Sequence, residues 1–188
     1  METLTQRQGA VLLKLARAAI AARLGLEEKK PVIDDPALQA AGGTFVTLKL
    51  NKELRGCIGN IDPAGPIADS IRDNAVNAAF SDYRFAPLTP SEFKKVTLSV
   101  SILTPAIPLK YEGGEDLVAR LRPGEDGVIL RYGRSSATFL PQVWEQLPDV
   151  RQFLGHLCLK AGLASDFWEE GRAEILLYQV QNFKEDER

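Results

Sequence analysis

The residues of this chain best suited to chemistry are Leu54-Arg55-Gly56-Cys57-Ile58-Gly59, a thiol between two glycines with a cation two positions before it. In extended backbone, residues two apart point to one side, so Arg55 and Cys57 are expected to share a face. A cation held near a cysteine favours the thiolate, which is the nucleophilic form. Gly56 and Gly59 carry no side-chain bulk, which lets a ligand or another chain segment approach the backbone. Cys57 therefore has three readings: a covalent catalyst, a binding residue on a cleft floor, or a small buried residue in a glycine-tight turn. No histidine, aspartate or lysine adjoins it in sequence to act as a base, and no CxxC partner accompanies it.

A second polar cluster, Asp82-Tyr83-Arg84, lies in the stretch Ser81–Thr89. Polar groups on loops often carry function, although an Asp beside an Arg also makes a local ion pair. If this loop folds over the hexamer, Arg55 and Arg84 together suit one carboxylate or phosphate. Ser99 and Ser101 fall on the polar side of an alternating strand that would line the same cleft. His156 is the only histidine and stands two residues before Cys158. That spacing separates the two on a helix, so His156 reads as a surface residue and Cys158 as core. A single histidine argues against a zinc or non-haem iron site, and no metal or cofactor is expected. P-loop, dinucleotide-binding and Ser-His-Asp patterns are lacking.

The elements that must position these residues read as follows. Apolar residues recur at helical spacing from about Thr5 to Leu24, with Thr5 and Gln8 as a capping box and Gly25 as the stop. Arg7, Lys14, Arg17 and Arg23 then form a solvated basic side. The charged, proline-bearing stretch 27–36 is a surface connection. Thr44–Leu50 and Arg55–Asn60 make a hairpin across Asn51-Lys52-Glu53, which puts the cysteine motif on the return limb. Residues 62–65 turn the chain into a helix that opens at Pro66, carries a stripe of alanines and ends near Phe80. Lys95–Leu103 is the clearest strand, followed by a helix over Glu115–Arg122 and a second hairpin, 128–132 with 137–140. A short helix from Pro141, a longer one capped by Asp149, a closing strand Glu174–Phe183 and a charged tail 184–188 complete the chain.

This order repeats helix, hairpin, helix, strand. Strands grouped with helices, without strict β-α-β alternation, indicate an α+β fold in which two lobes share one sheet. We expect a single domain over 1–188, with lobes near 1–110 and 111–188 that are not independent. The chain has 188 residues, 45% of them hydrophobic, a net charge of −2 and two cysteines. That charge argues against a dominant nucleic-acid footprint, and so few cysteines suit a reducing cytoplasm rather than a disulfide scaffold. No apolar run approaches membrane-spanning length.

Leu54–Gly59 followed by Ser81-Asp82-Tyr83-Arg84-Phe85-Ala86-Pro87-Leu88 resembles two motifs of the AMMECR domain family. The order continues through Ser99–Leu103, Gly124–Val128 and Thr138–Pro141, and Leu157–Gly162 is similar to the bacterial pattern. The resemblance is closest to the prokaryotic branch known as AmmeMemoRadiSam system protein A. It implies an α+β fold, duplicated around a mostly antiparallel, barrel-like sheet. It also implies association with a Memo-like protein and a radical-SAM protein, and proposals for the family include an enzymatic cleft at the hexamer and a role near nucleic acid or translation.

Two functional readings follow. In the first, the chain is an accessory enzyme or substrate-binding subunit with a cleft at the hexamer. Cys57 is then its catalytic candidate, and Arg55, Gly56, Gly59, Asp82 and Arg84 are its binding residues. In the second, it is a non-catalytic module for the Memo-like and radical-SAM partners, and the hexamer is structural. Nucleic-acid binding is a third and weaker reading.

Overall fold

The computed structural model describes residues 3–63 and 65–186. The expected turn at 62–65 and the expected tail at 184–188 therefore fall partly, at Ala64 and at 187–188, outside the described residues. The helices and strands are α1 (Gln6–Arg23), α2 (Pro36–Gln39), β1 (Gly43–Leu50), β2 (Glu53–Asn60), α3 (Ile67–Phe80), α4 (Pro90–Phe93), β3 (Thr97–Leu103) and β4 (Ile107–Pro108). Then come α5 (Gly113–Arg120), β5 (Gly127–Tyr132), β6 (Ser135–Phe139), α6 (Val150–Lys160), β7 (Glu174–Tyr178) and β8 (Val180–Lys184). Short 3₁₀ turns flank α6 at Pro141–Glu145 and Phe167–Glu170.

The fold is α+β, and its strands pair in two four-stranded sheets rather than the one shared sheet expected from sequence. The orders are β2-β1-β3-β8 and β4-β7-β5-β6. Two compact units correspond to them: residues up to Leu103 together with those from Gln181, and Thr104–Val180. The boundary thus differs from the 110/111 position read from sequence. The two sheets have one plan, since each sets a hairpin beside a third strand and then a fourth. The chain supplies each fourth strand after leaving the other sheet: β4 follows β3 but pairs with β7, and β8 follows β7 but lies beside β3. What reads as one closing strand over Glu174–Phe183 is therefore two. The break is fixed by paired bonds, Thr104 N–H to Gln179 C=O and Gln179 N–H to Thr104 Oγ1, each 2.9 Å.

In the first unit, β1 alternates cleanly. Val46 and Leu48 are fully buried against α1 and α3, among Leu12, Ile20, Ile67 and Ile71. Thr5 caps α1 as expected, accepting from Gln8 N–H while Gln8 Oε1 accepts from Thr5 N–H at 2.7 Å. One part of the α1 reading is overturned. Arg17, expected on a solvated basic side, is buried, and it donates to the carbonyls of Phe93 and Val96 and pairs with Glu185. Periodicity cannot reveal this, because the partner lies 168 residues away. In the second unit, Asp149 caps α6 by accepting from Gln152 N–H at 2.9 Å. The core there centres on Phe153, whose ring stacks on Trp144 with centroids 3.6 Å apart.

Candidate functional site

The hairpin turns tightly at Asn51 and Lys52, both at positive φ, as a two-residue turn of the I′ kind that matches strand twist. Pairing runs Lys49 with Leu54 and Leu48 with Gly56, so Arg55 is the extra residue of a β-bulge. A bulge breaks strand alternation, and the expectation that Arg55 and Cys57 share a face relied on that alternation. Their side chains go to different partners. The Arg55 guanidinium donates to Glu92 from Nε (2.9 Å) and Nη2 (3.2 Å) and to the Ala86 carbonyl at 2.8 Å. The Cys57 thiol lies 3.2 Å from Thr47 Oγ1 on the neighbouring strand.

Strand β2 is an edge of its sheet, and an edge strand leaves backbone groups unpaired. The loop after α3 supplies what is missing. Asp82 accepts from Cys57 N–H at 2.9 Å, and Arg84 Nη2 donates to Cys57 C=O at 3.2 Å. The same carboxylate takes bonds from Arg84 Nε (2.9 Å), Nη2 (2.7 Å) and N–H (3.2 Å). Asp82 and Arg84 thus form one clasp closed on the Cys57 peptide. Phe85 sits between the two cations, its ring 5.7 Å from the Arg55 guanidinium and 5.5 Å from that of Arg84.

The glycines serve this packing too. A Cβ at Gly56 would overlap the carbonyl oxygen of Ala78 in α3, and one at Gly59 would overlap the Phe45 ring and the Thr44 carbonyl. The approach that these glycines permit is made by the chain itself. So the structure brings Arg55, Gly56, Cys57, Gly59, Asp82 and Arg84 together, and the loop folds over the hexamer as required. Both guanidinium groups already hold a carboxylate. Ser101, expected on a wet or cleft-lining face, is buried and donates to Asn182 Oδ1 at 2.5 Å. Cys158 is fully buried, as read from sequence, and His156 is exposed in the second unit. Among the described residues, no group of three or more His, Cys, Asp or Glu is arranged to hold a metal ion. No helix there is long and apolar enough to cross a membrane.

Glu92 is the residue that sequence reasoning missed. Its signal was present, because Thr89-Pro90-Ser91-Glu92 is a capping box, and Glu92 accepts from Thr89 N–H at 2.9 Å while also holding Arg55. The electrostatics follow from these bonds. Arg84 holds the Asp82 carboxyl well below the usual carboxylate range, with the Cys57 and Arg84 backbone N–H groups helping. Arg55 and the cap together lower Glu92 from 4.5 to about 2. A carboxylate whose folded-state pKa is depressed stabilises the fold fully above its unfolded pKa, and that stability is lost as pH falls toward the folded one. The urea midpoint should therefore drop between about pH 4.5 and pH 2 in the native protein. In Glu92→Gln the drop over that window should be smaller. An equal drop in both proteins would show that Glu92 is not held by Arg55.

A two-unit α+β domain with a bulged, glycine-tight edge strand clasped by an Asp-x-Arg loop is the class that this fold defines. The chain belongs to the AMMECR1 family, whose profile it matches over residues 13–183. Among its relatives, a protein of Methanosarcina barkeri is 40% identical over 192 residues, covering 98% of this chain and 93% of that one. A protein of Methanocaldococcus jannaschii is 37% identical and covers 100% and 94%. The crystal structure of an uncharacterized protein from Pyrococcus horikoshii superposes with a TM-score of 0.84 at 32% identity, covering 98% of this chain and 94% of that one.

Proposed function

We propose that this chain is a non-catalytic partner-binding module in which the hexamer is a structural element. Its partners are a Memo-like protein and a radical-SAM protein, as the prokaryotic branch of the family implies. The observation that carries the reading is the internal use of the motif's polar groups. Both backbone groups of Cys57 are bound by the Asp82–Arg84 clasp, and Arg55 gives Nε and Nη2 to Glu92 and the Ala86 carbonyl, its buried Nη1 alone having no partner among the described residues. A cysteine nucleophile is activated by an adjacent base or a free cation, whereas among the described residues the hydrogen-bonding neighbour of the thiol is a threonine hydroxyl and the nearby guanidinium groups each hold a carboxylate.

Two measurements on purified protein test this. Titration calorimetry with the Memo-like and the radical-SAM protein should give the same Kd, within about twofold, for the native chain and for Cys57→Ala. Native Cys57 should react with iodoacetamide no faster than free cysteine, because Asp82 and Glu92 already neutralise the two nearby cations. Labelling of Cys57 well above the free-thiol rate, with partner binding absent, would instead favour an enzymatic cleft.

A further inference from the structure

The segment joining α1 to α2 runs back along α1 as a strap fixed at its ends. Leu26 N–H donates to Ala21 C=O at 2.9 Å, and Leu26 and Ile33 pack on the core. Asp35 accepts from Gln8 Nε2 at 2.8 Å. Between these anchors, no hydrogen bond or ion pair holds residues 27–34 among the described residues. Beside the strap, along α1, runs a groove of about 820 Å³. Ala10, Val11 and Leu13 contribute its apolar wall, and Val32 stands on the strap 78% exposed.

The charge of this groove differs from that of the chain. Lys14, Lys29, Lys30 and Lys184 line it with no ion-pair partner among the described residues, against Glu28 and Asp186, while Arg17 and Glu185 cancel each other. Four cations less two anions leave +2, in a chain whose net charge is −2. Lysine stems cover apolar surface while their charged heads stay in water, a form that suits an acidic, amphipathic partner. The α1 wall from Ala10 to Arg17 spans two helical turns, roughly 10 Å at 1.5 Å per residue.

We infer that this groove docks a short amphipathic helix whose apolar stripe is flanked by acidic residues, supplied by a partner protein. The apolar stripe lies on Val11, Leu13 and Val32, and its carboxylates face the lysines. The inference rests on the partner-binding reading above and names the surface that this reading uses.

The probe is a fluorescein-labelled 18-residue peptide with leucines at helical spacing and glutamates between them. A scrambled peptide of the same composition and a leucine–lysine counterpart serve as controls. Anisotropy should show saturable binding at least fivefold tighter than that of either control and weakening from 50 to 300 mM salt. Lys29→Glu/Lys30→Glu and Val32→Ser, both in the unbonded stretch and so expected to keep the native Tm, should each weaken it at least tenfold. Absent binding, equal binding of the controls, or insensitivity to these variants with Tm unchanged overturns the inference. The full-length partners separate its failure from that of the broader reading. If the Memo-like or radical-SAM protein binds the native chain and the lysine variant equally, the groove is wrong and partner binding stands. If neither partner binds the native chain, the broader reading fails.

Discussion

Gly56→Ala is expected to lower the Tm of the protein by roughly 6–12 °C, from a loss of about 3 kcal/mol at the upper end of overpacking costs. The cause is local and specific. The added Cβ meets the backbone carbonyl of Ala78, not the flexible end of a side chain, so β2 and α3 must separate for it to fit. Separation would also draw β2 from the clasp, because Ile58, two residues on, packs on the same core. Gly155→Ala is the control, since the nearest atom to a Cβ there is the Ser165 carbonyl oxygen at 3.3 Å. Differential scanning fluorimetry on both variants should show a large fall for Gly56→Ala and a Tm within about 4 °C of native for Gly155→Ala, whose helix propensity gain is at most about 1 kcal/mol. Equal small shifts in both would mean that β2 and α3 are not in backbone contact.

The second large effect concerns the buried ion pair between α1 and the residue after β8. Arg17 meets Glu185 through Nε at 2.6 Å and Nη2 at 2.5 Å, with side chains only 7% and 15% exposed. Glu185 also accepts from Leu98 N–H at 3.0 Å, which ties the chain end to β3. Glu185→Ala leaves a guanidinium buried without its counter-charge, and breaking such a pair costs about 3–5 kcal/mol. Arg17→Met/Glu185→Ala removes the orphaned charge. It should therefore recover part of that loss, though not all, because Arg17 also holds the Phe93 and Val96 carbonyls. A double-mutant cycle from urea unfolding checks this, with a coupling of about 1–3 kcal/mol expected for contacting groups. Strict additivity would place the stabilisation elsewhere.

How much of this was legible in the sequence depended on how local each cause is. The hairpin, its return limb, the α1 capping box and the Asp149 cap all rest on residues within a few positions of one another, and propensity and spacing capture such causes. The α+β class also followed from element order. Arg17 shows the limit, since helix periodicity placed it outside and a carboxylate at the far end of the chain drew it in. The division into two sheets was hidden for a similar reason. Gln179 ends one strand because Thr104, distant in sequence, takes its backbone bonds.

The residues singled out from sequence do come together around Cys57, while the bonds among them depend on the bulge. Once Arg55 is the extra residue, strand alternation no longer links it to Cys57. The capping glutamate of α4 then becomes its partner. Sequence spacing carries no sign of that pairing, although the Thr89–Glu92 capping pattern was there to be read.

On the reading proposed above, the hexamer and the loop over it hold the fold rather than perform a reaction. The most direct measurement is complementation of a strain lacking the gene by Cys57→Ala and by Asp82→Ala, with the Tm of each purified variant. Cys57→Ala is expected to support full function at near-native Tm. Asp82→Ala, which strips the Cys57 amide and the Arg84 guanidinium of their acceptor, is expected to lose function together with a marked fall in Tm. Loss of function in Cys57→Ala with an unchanged Tm would contradict this reading and return the thiol to the chemistry.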